Sequence, residues 1–292
     1  MIYELRHLTT YRYQAPVSFT RCALRLSPAD TAAQHLLQNE IIISPGASTT
    51  SDRVGAFGER IRGITVEKPH RELKIEARSK VWVERRVLDD DEPSPAWETV
   101  RDEACTARSL DFGSPAHFLF PTAMTPLLDA FTGYGRDCFV PGAPIIEAAK
   151  QLSMRIHRDF VYDPKATVVT TPAIKAFAAR RGVCQDFAHI MIASLRGLGL
   201  PAAYVSGYLR TVPPPGKARL QGADATHAWV SLWCGEALGW IDFDPTNALM
   251  VGDEYIELAV GRDYADVAPI DGVILGGGEQ AVSVAVDVVP IG

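Results

Sequence analysis

Three short stretches of this chain hold residue types that could perform covalent chemistry together. The first is Gly182-Val183-Cys184-Gln185-Asp186-Phe187-Ala188-His189, where Gly182 closes a helical segment near 176–181 and Cys184 opens the next helix. A thiol at a helix start feels unpaired N–H groups and the positive end of the helix dipole. Both favour thiolate, the nucleophilic form. The second is Thr226-His227-Ala228-Trp229-Val230, a strand on which alternation puts His227, Trp229, Ser231 and Trp233 on one face. The third is Gly239-Trp240-Ile241-Asp242-Phe243-Asp244-Pro245-Thr246-Asn247, with Trp240, Asp242 and Asp244 sharing a face. Thiolate, imidazole and carboxylate are the parts of acyl transfer through a covalent thioester: nucleophile, base and orienting acid.

The elements that must hold these residues are legible around them. After Cys184 the residues Phe187, Ala188, Ile190, Met191, Ile192 and Leu195 leave almost no polar face, which predicts a helix buried nearly all round at the centre of its domain. Residues 201–212, 225–234 and 239–244 read as strands, the last two as a hairpin through 235–238. If that hairpin folds about its middle, paired residue numbers sum to 473, and Asp244 lies diagonal to His227. Asp242 then lies two residues further along, out of reach. Asp186 and His189 read as local hydrogen bonding and helix packing, and Trp229 as a ring beside the reacting residues that excludes water.

Residues 1–92 read as an antiparallel β-sandwich domain, with strands at 3–13, 17–26, 36–44 and 73–85 and turns at Gln14-Ala15-Pro16, Ser27–Asp30, Ser44-Pro45-Gly46 and Lys68-Pro69-His70. Asp89-Asp90-Asp91-Glu92 followed by Pro93-Ser94-Pro95 is the expected linker. Residues 93–292 form the second domain, entered through helices near 96–107, 125–131, 144–159 and 171–181, with 133–142 as an irregular joint. Thr171-Pro172 reads as a cap followed by proline at the first helical position. Strands near 255–260 and 281–289 close the chain, and Gly276-Gly277-Gly278, with no lysine after it, is a flexible turn and not a phosphate loop. The fold class is α+β.

The 292 residues are 47% hydrophobic and 22% charged, as in an ordinary globular protein, and the net charge of −6 gives no reason to expect nucleic acid or an anionic membrane as partner. The N-terminus lacks the apolar core of a secretory signal and no apolar run reaches spanning length, so the expected location is the cytoplasm. Five cysteines, widely spaced and without C-x-x-C, argue against a disulfide framework or structural zinc, and seven dispersed histidines lack H-E-x-x-H. No metal and no cofactor is expected.

The three motifs G-V-C-Q-D-F-A-H, T-H-A-W-V and G-W-I-D-F-D-P-T-N, in this order, resemble the transglutaminase-like, papain-related thiol superfamily over residues 141–250. Tyr3-Glu4-Leu5-Arg6-His7 through Leu24-Arg25-Leu26-Ser27-Pro28 resembles the N-terminal β domain that precedes this core in bacterial members. The resemblance implies a papain/transglutaminase-like core, with Cys184 as nucleophile, His227 as base and Asp244 as orienting acid. Gln185 matches the bacterial pattern and is not the upstream oxyanion glutamine of papain-like proteases. No such upstream glutamine is present, which leaves the Cys184 N–H and Tyr162 as the two candidate oxyanion donors. The implied activity is a thiol amidohydrolase or peptidase acting on a peptide or protein amide. Transamidation is the alternative, and a non-catalytic interaction module the second. Retention of all three triad residues weighs against the module. A homo-oligomer is a possible assembly.

Overall fold

A computed structural model describes residues 1–86, 88, 93–211, 222 and 224–291. The acidic run at 89–92 named above, and the stretch Pro213-Pro214-Pro215-Gly216 that reads from sequence as a loop after the strand at 201–212, lie outside the described residues.

The chain begins with β1 (Ile2–Leu24), followed by β2 (Gln34–Ser44), β3 (Thr49–Val54), β4 (Arg60–Val66) and β5 (His70–Val83). The expected turn at Gln14-Ala15-Pro16 is absent: β1 is one strand of 23 residues whose pairing slips there. Proline has no N–H to give a ladder, so it sits where the register is already broken. The hairpin of β3 and β4 had no readable signal, because β3 (Thr-Thr-Ser-Asp-Arg-Val) is exposed throughout and does not alternate.

Beyond residue 93 come α1 (Trp97–Thr106), α2 (Asp129–Arg136), α3 (Ile145–Asp159), β6 (Val161–Tyr162), α4 (Ala173–Ala179), β7 (Arg181–Gly182) and α5 (Cys184–Gly197). Then follow β8 (Ala202–Leu209), β9 (Ala225–Trp233), β10 (Trp240–Asp244), β11 (Leu249–Met250), β12 (Tyr255–Gly261), α6 (Tyr264–Val267), β13 (Ile270–Gly276) and β14 (Gln280–Pro290). The helix expected at 125–131 starts later, at Asp129, and runs through Gly133 and Gly135. A Cβ at Gly135 would stand 3.0 Å from that of Ser194, so the glycine lets α2 lie close on α5. Pro172 caps α4 instead of opening it, and α4 is ended by Arg180 in the left-handed region (φ 52°), not by Gly182.

The second sheet is antiparallel in the order β11-β10-β9-β8-β12. The helix α5 is buried from Gln185 to Arg196 and packs with Ala228, Val230 and Leu232 of β9 in the largest core. Its far end is pinned by Arg196, whose guanidinium donates to the carbonyls of Phe118, Phe120, Ala202 and Arg262 and to the Thr125 hydroxyl. Those bonds satisfy a charge that burial would otherwise make costly.

The last two strands revise the division at residue 92. Both β13 and β14 pair with β1, so the chain's end belongs to the first sheet. One half of β1 runs between β5 and β14, the other between β4 and β13. Alternating apolar residues marked 281–289 as a strand but could not say which sheet it would join. The sheet bends over its own core, in which Leu73, Ile75 and Ala77 meet Leu24, Ile64 and Val66. A further cluster joins the two sheets: Tyr3, Leu5, Val81, Val83, Val286 and Val288 against Tyr208, Ile256 and Leu258.

Candidate active site

Cys184 is the first residue of α5, where its backbone N–H has no carbonyl one turn back to accept it. The turn before it is held by Asp186, whose Oδ2 accepts from the Val183 N–H at 2.8 Å and from the Thr167 hydroxyl at 2.6 Å. Gln185 donates its Nε2–H to the Val169 carbonyl at 2.9 Å, so two consecutive residues of the helix tether the loop before α4. His189 is buried and accepts from the Tyr264 N–H at 3.2 Å, and burial pushes its pKa down to about 4. Asp186 and His189 are thus occupied by local bonding and packing.

The hairpin register matches the expected one. Trp240 pairs with Trp233, Ile241 with Leu232, Asp242 with Ser231 and Phe243 with Val230. Each pair sums to 473, which leaves Asp244 diagonal to His227. The imidazole Nε2–H donates to Asp244 Oδ2 at 2.7 Å. With Nε2 taken by Asp244, Nδ1 is the ring nitrogen left free for Cys184, which is among the groups that raise the imidazole pKa. Burial disfavours the imidazolium, but the hydrogen bonds to Asp244 and Cys184 outweigh it and push the His227 pKa up to about 10.

Asp244 is fully buried, at 0% exposure. Its Oδ2 also accepts from Asn247 Nδ2 at 2.6 Å and the Tyr255 hydroxyl at 2.8 Å, while Oδ1 accepts from the Thr246 and Asn247 N–H groups. Burial raises its pKa, and the bonds led by His227 reverse that and hold it below the usual carboxylate range. Asn247 and Tyr255 were not singled out from sequence, although Asn247 stands in the D-P-T-N motif. Tyr255 is eleven residues downstream on another strand, and no local pattern connects it to Asp244.

Asp242 belongs to a different group: its Oδ2 accepts from the Trp229 indole N–H at 3.1 Å and from Arg85 at 3.3 Å. Trp229 is buried, 6.5 Å from the His227 ring centre, with Tyr255 edge-on at 5.5 Å. Room for its ring comes from Gly207, opposite His227 on β8, where a Cβ would collide with Trp229 and with the Ile256 carbonyl. Tyr162 pairs with Gly182 beside the helix start and is 53% exposed, so it is not a core residue. Burial and then the negative charge of Cys184 raise its pKa, which marks the phenol as a neighbour of the sulfur. Among the described residues there is no group of three or more His, Cys, Asp or Glu arranged to hold a metal ion, and no helix is long and apolar enough to cross a membrane.

All five cysteines are free. Near neutral pH, Cys184 is expected to take up iodoacetamide first. Burial pushes the Cys22 thiol up to about 11 and raises Cys138 and Cys234 as well, while Cys105 is exposed and is the real competitor. Peptide mapping after limited alkylation tests this. A faster Cys105, or a Cys184 rate unchanged by His227→Asn, would contradict an activated thiol.

Residues 3–82 match the bacterial transglutaminase-like N-terminal region, and residues 136–245 match the transglutaminase-like superfamily. An uncharacterized protein of Mycobacterium tuberculosis is 37% identical over 297 residues, covering 99% of this chain and 92% of that protein. A protein-glutamine gamma-glutamyltransferase of Pseudomonas aeruginosa is 34% identical over 125 residues, 38% of this chain and 18% of that protein. Among solved structures, a candidate cysteine protease from Cytophaga hutchinsonii has the same fold, with a TM-score of 0.75 at 23% identity, covering 99% of this chain and 90% of that one.

Proposed function

This chain belongs to the transglutaminase-like superfamily, and from that premise we propose that it is a cysteine-dependent amidohydrolase acting on a peptide or protein amide. The observation that carries the reading is His227, bonded through Nε2 to the buried Asp244, with Cys184, the first residue of a helix, near enough to help raise the imidazole pKa. A base held by a carboxylate on one side and a nucleophile on the other is the arrangement acyl transfer requires.

In this reading the Cys184 sulfur attacks the amide carbonyl carbon, and the C–O π electrons move to oxygen. The Cys184 backbone N–H and the Tyr162 hydroxyl are the donors proposed for that oxyanion. As the oxyanion collapses, the C–N bond breaks and His227 delivers its proton to the leaving amine. The acylated sulfur no longer carries charge, which removes one cause of the raised His227 pKa. With that cause gone the ring is more readily neutral, so it is free to take a proton from water, and hydroxide attacks the thioester to release the acid and regenerate thiolate and imidazolium. Asp244 keeps Nε2 protonated throughout. Free thiols throughout the chain fit a reducing compartment, and we place the reaction in the cytoplasm.

Transamidation, with an amine in place of water, is the second reading. It is favoured by the likeness to the gamma-glutamyltransferase of P. aeruginosa. Trapping the acyl group on Cys184 from a lysate and identifying it by mass spectrometry would supply a substrate. With that substrate and a millimolar primary amine, the acid is expected to remain the main product. A product shifted mostly to the amide would reverse the ranking, and no acyl adduct on Cys184 under any condition would remove both.

A further inference from the structure

Arg85 lies just past the end of β5, in the N-terminal part of the chain, yet its head group sits in the second sheet. Nη1 donates to Asp242 Oδ2 at 3.3 Å, Nη2 to the Tyr255 carbonyl at 3.5 Å, and the backbone N–H to Asp253 at 2.8 Å. The pair is enclosed, with the side chains of Arg85 and Asp242 only 13% and 15% exposed. Each contact leads on toward the triad. Asp242 Oδ2 accepts the Trp229 indole N–H, and Trp229 lies beside His227. Tyr255 gives its hydroxyl to Asp244, and its ring centre is 6.0 Å from that of His227. Two routes from one guanidinium end on the same imidazole.

We propose that Arg85 is a positioning residue for the triad, clamping Asp242 and Tyr255 so that Trp229 and Tyr255 keep water from the His227–Asp244 pair, and that this clamp is what the N-terminal sheet contributes to the reaction. The inference rests on the triad reading above. Its physical basis is that an ion pair attracts far more strongly in a dry site than in water, and an indole held by its N–H stays over the pair where an untethered one would swing. The planar fork of arginine is suited to reaching two acceptors at once; a lysine ammonium, a single point of charge, is not. Arg85 also opposes the effect of Asp242 on Glu257, whose carboxyl is held up to about 7 by burial and the Asp242 charge. One cation therefore serves two acids.

A double-mutant cycle on Arg85→Gln and Trp229→Phe tests it, reading the alkylation rate of Cys184 against that of Cys105 in the same sample. Each single variant is expected to lower the ratio about tenfold. If Arg85 acts through the Trp229 tether, the double variant falls little further than the worse single, because contacting residues in one network are not additive. A purely structural Arg85 would give independent losses that multiply to about a hundredfold, which overturns the proposal, as would an Arg85→Gln ratio equal to wild type. Should Arg85→Gln not fold, Arg85→Lys enters the same cycle with the charge kept and the fork lost. His227→Asn separates the two claims. If it leaves wild-type labelling of Cys184 unchanged, the triad reading fails. If it slows labelling while Arg85→Gln does not, the clamp alone fails.

Discussion

His227→Asn is expected to lower turnover of the identified substrate by roughly three to four orders of magnitude while the protein stays folded. Asparagine places its amide where Nδ1 stood and gives up the 2.7 Å bond, but the buried carboxylate keeps Asn247, the Tyr255 hydroxyl and two backbone N–H groups as donors. The amide cannot take a proton from the sulfur or return one to a leaving amine. Turnover measured beside a thermal melt decides the matter. A melted variant would say nothing of chemistry and calls for His227→Gln, whereas a folded variant within about tenfold of wild type would remove His227 from the mechanism.

The same pair makes a prediction about pH. The His227 pKa is raised from 6.5 to about 10, so the stability it contributes is fully present below 6.5 and is lost as pH rises through about 10. Asp244 is shifted the other way, below 3.8, so its contribution is present above 3.8 and is lost as pH falls through its lowered value. The stability gap between wild type and His227→Asn should therefore be widest between pH 4 and 6.5 and shrink toward pH 10. A gap that grows on the alkaline side would mean that the imidazole is neutral in the folded protein.

Much of the site was legible because its parts are local. A buried helix announced by Phe187, Ala188, Ile190 and Met191, and a hairpin whose loop sets its own register, each depend on residues close together in the chain. What was not legible depends on distant pairing. Strand character at 281–289 follows from alternation, but its place against β1, more than two hundred residues away, is chosen by tertiary packing around Val286 and Val288. Tyr255 reaches Asp244, and Arg85 reaches Asp242, only because the two sheets share a core. The slip in β1 at Pro16 reads as a turn in the sequence because proline signals a break in hydrogen bonding without saying whether the chain reverses.

Asp244→Asn and Asp242→Asn should separate the two acids of this hairpin by orders of magnitude. Every polar contact of Asp244 is one it accepts: His227, Asn247 and Tyr255 on Oδ2, and two backbone N–H groups on Oδ1. An asparagine has one accepting oxygen, so its NH2 must face donors on one side or the other. If the amide points at His227, the imidazole has to present a lone pair at Nε2, which puts the proton on Nδ1 and leaves no base for Cys184. If the oxygen points at His227, two backbone donors face the NH2 in the interior. Turnover is expected to fall by about 10³–10⁴-fold, as expected when a base is held in the wrong tautomer. Asp242 accepts from Trp229 and Arg85 on the same oxygen, a task one amide oxygen can perform, so Asp242→Asn is expected to stay within about tenfold of wild type. Circular dichroism of both variants beside their turnover provides the check. A dead Asp242→Asn with a healthy Asp244→Asn, both folded, would transfer the orienting role to Asp242 and undo the assignment that the hairpin register supports.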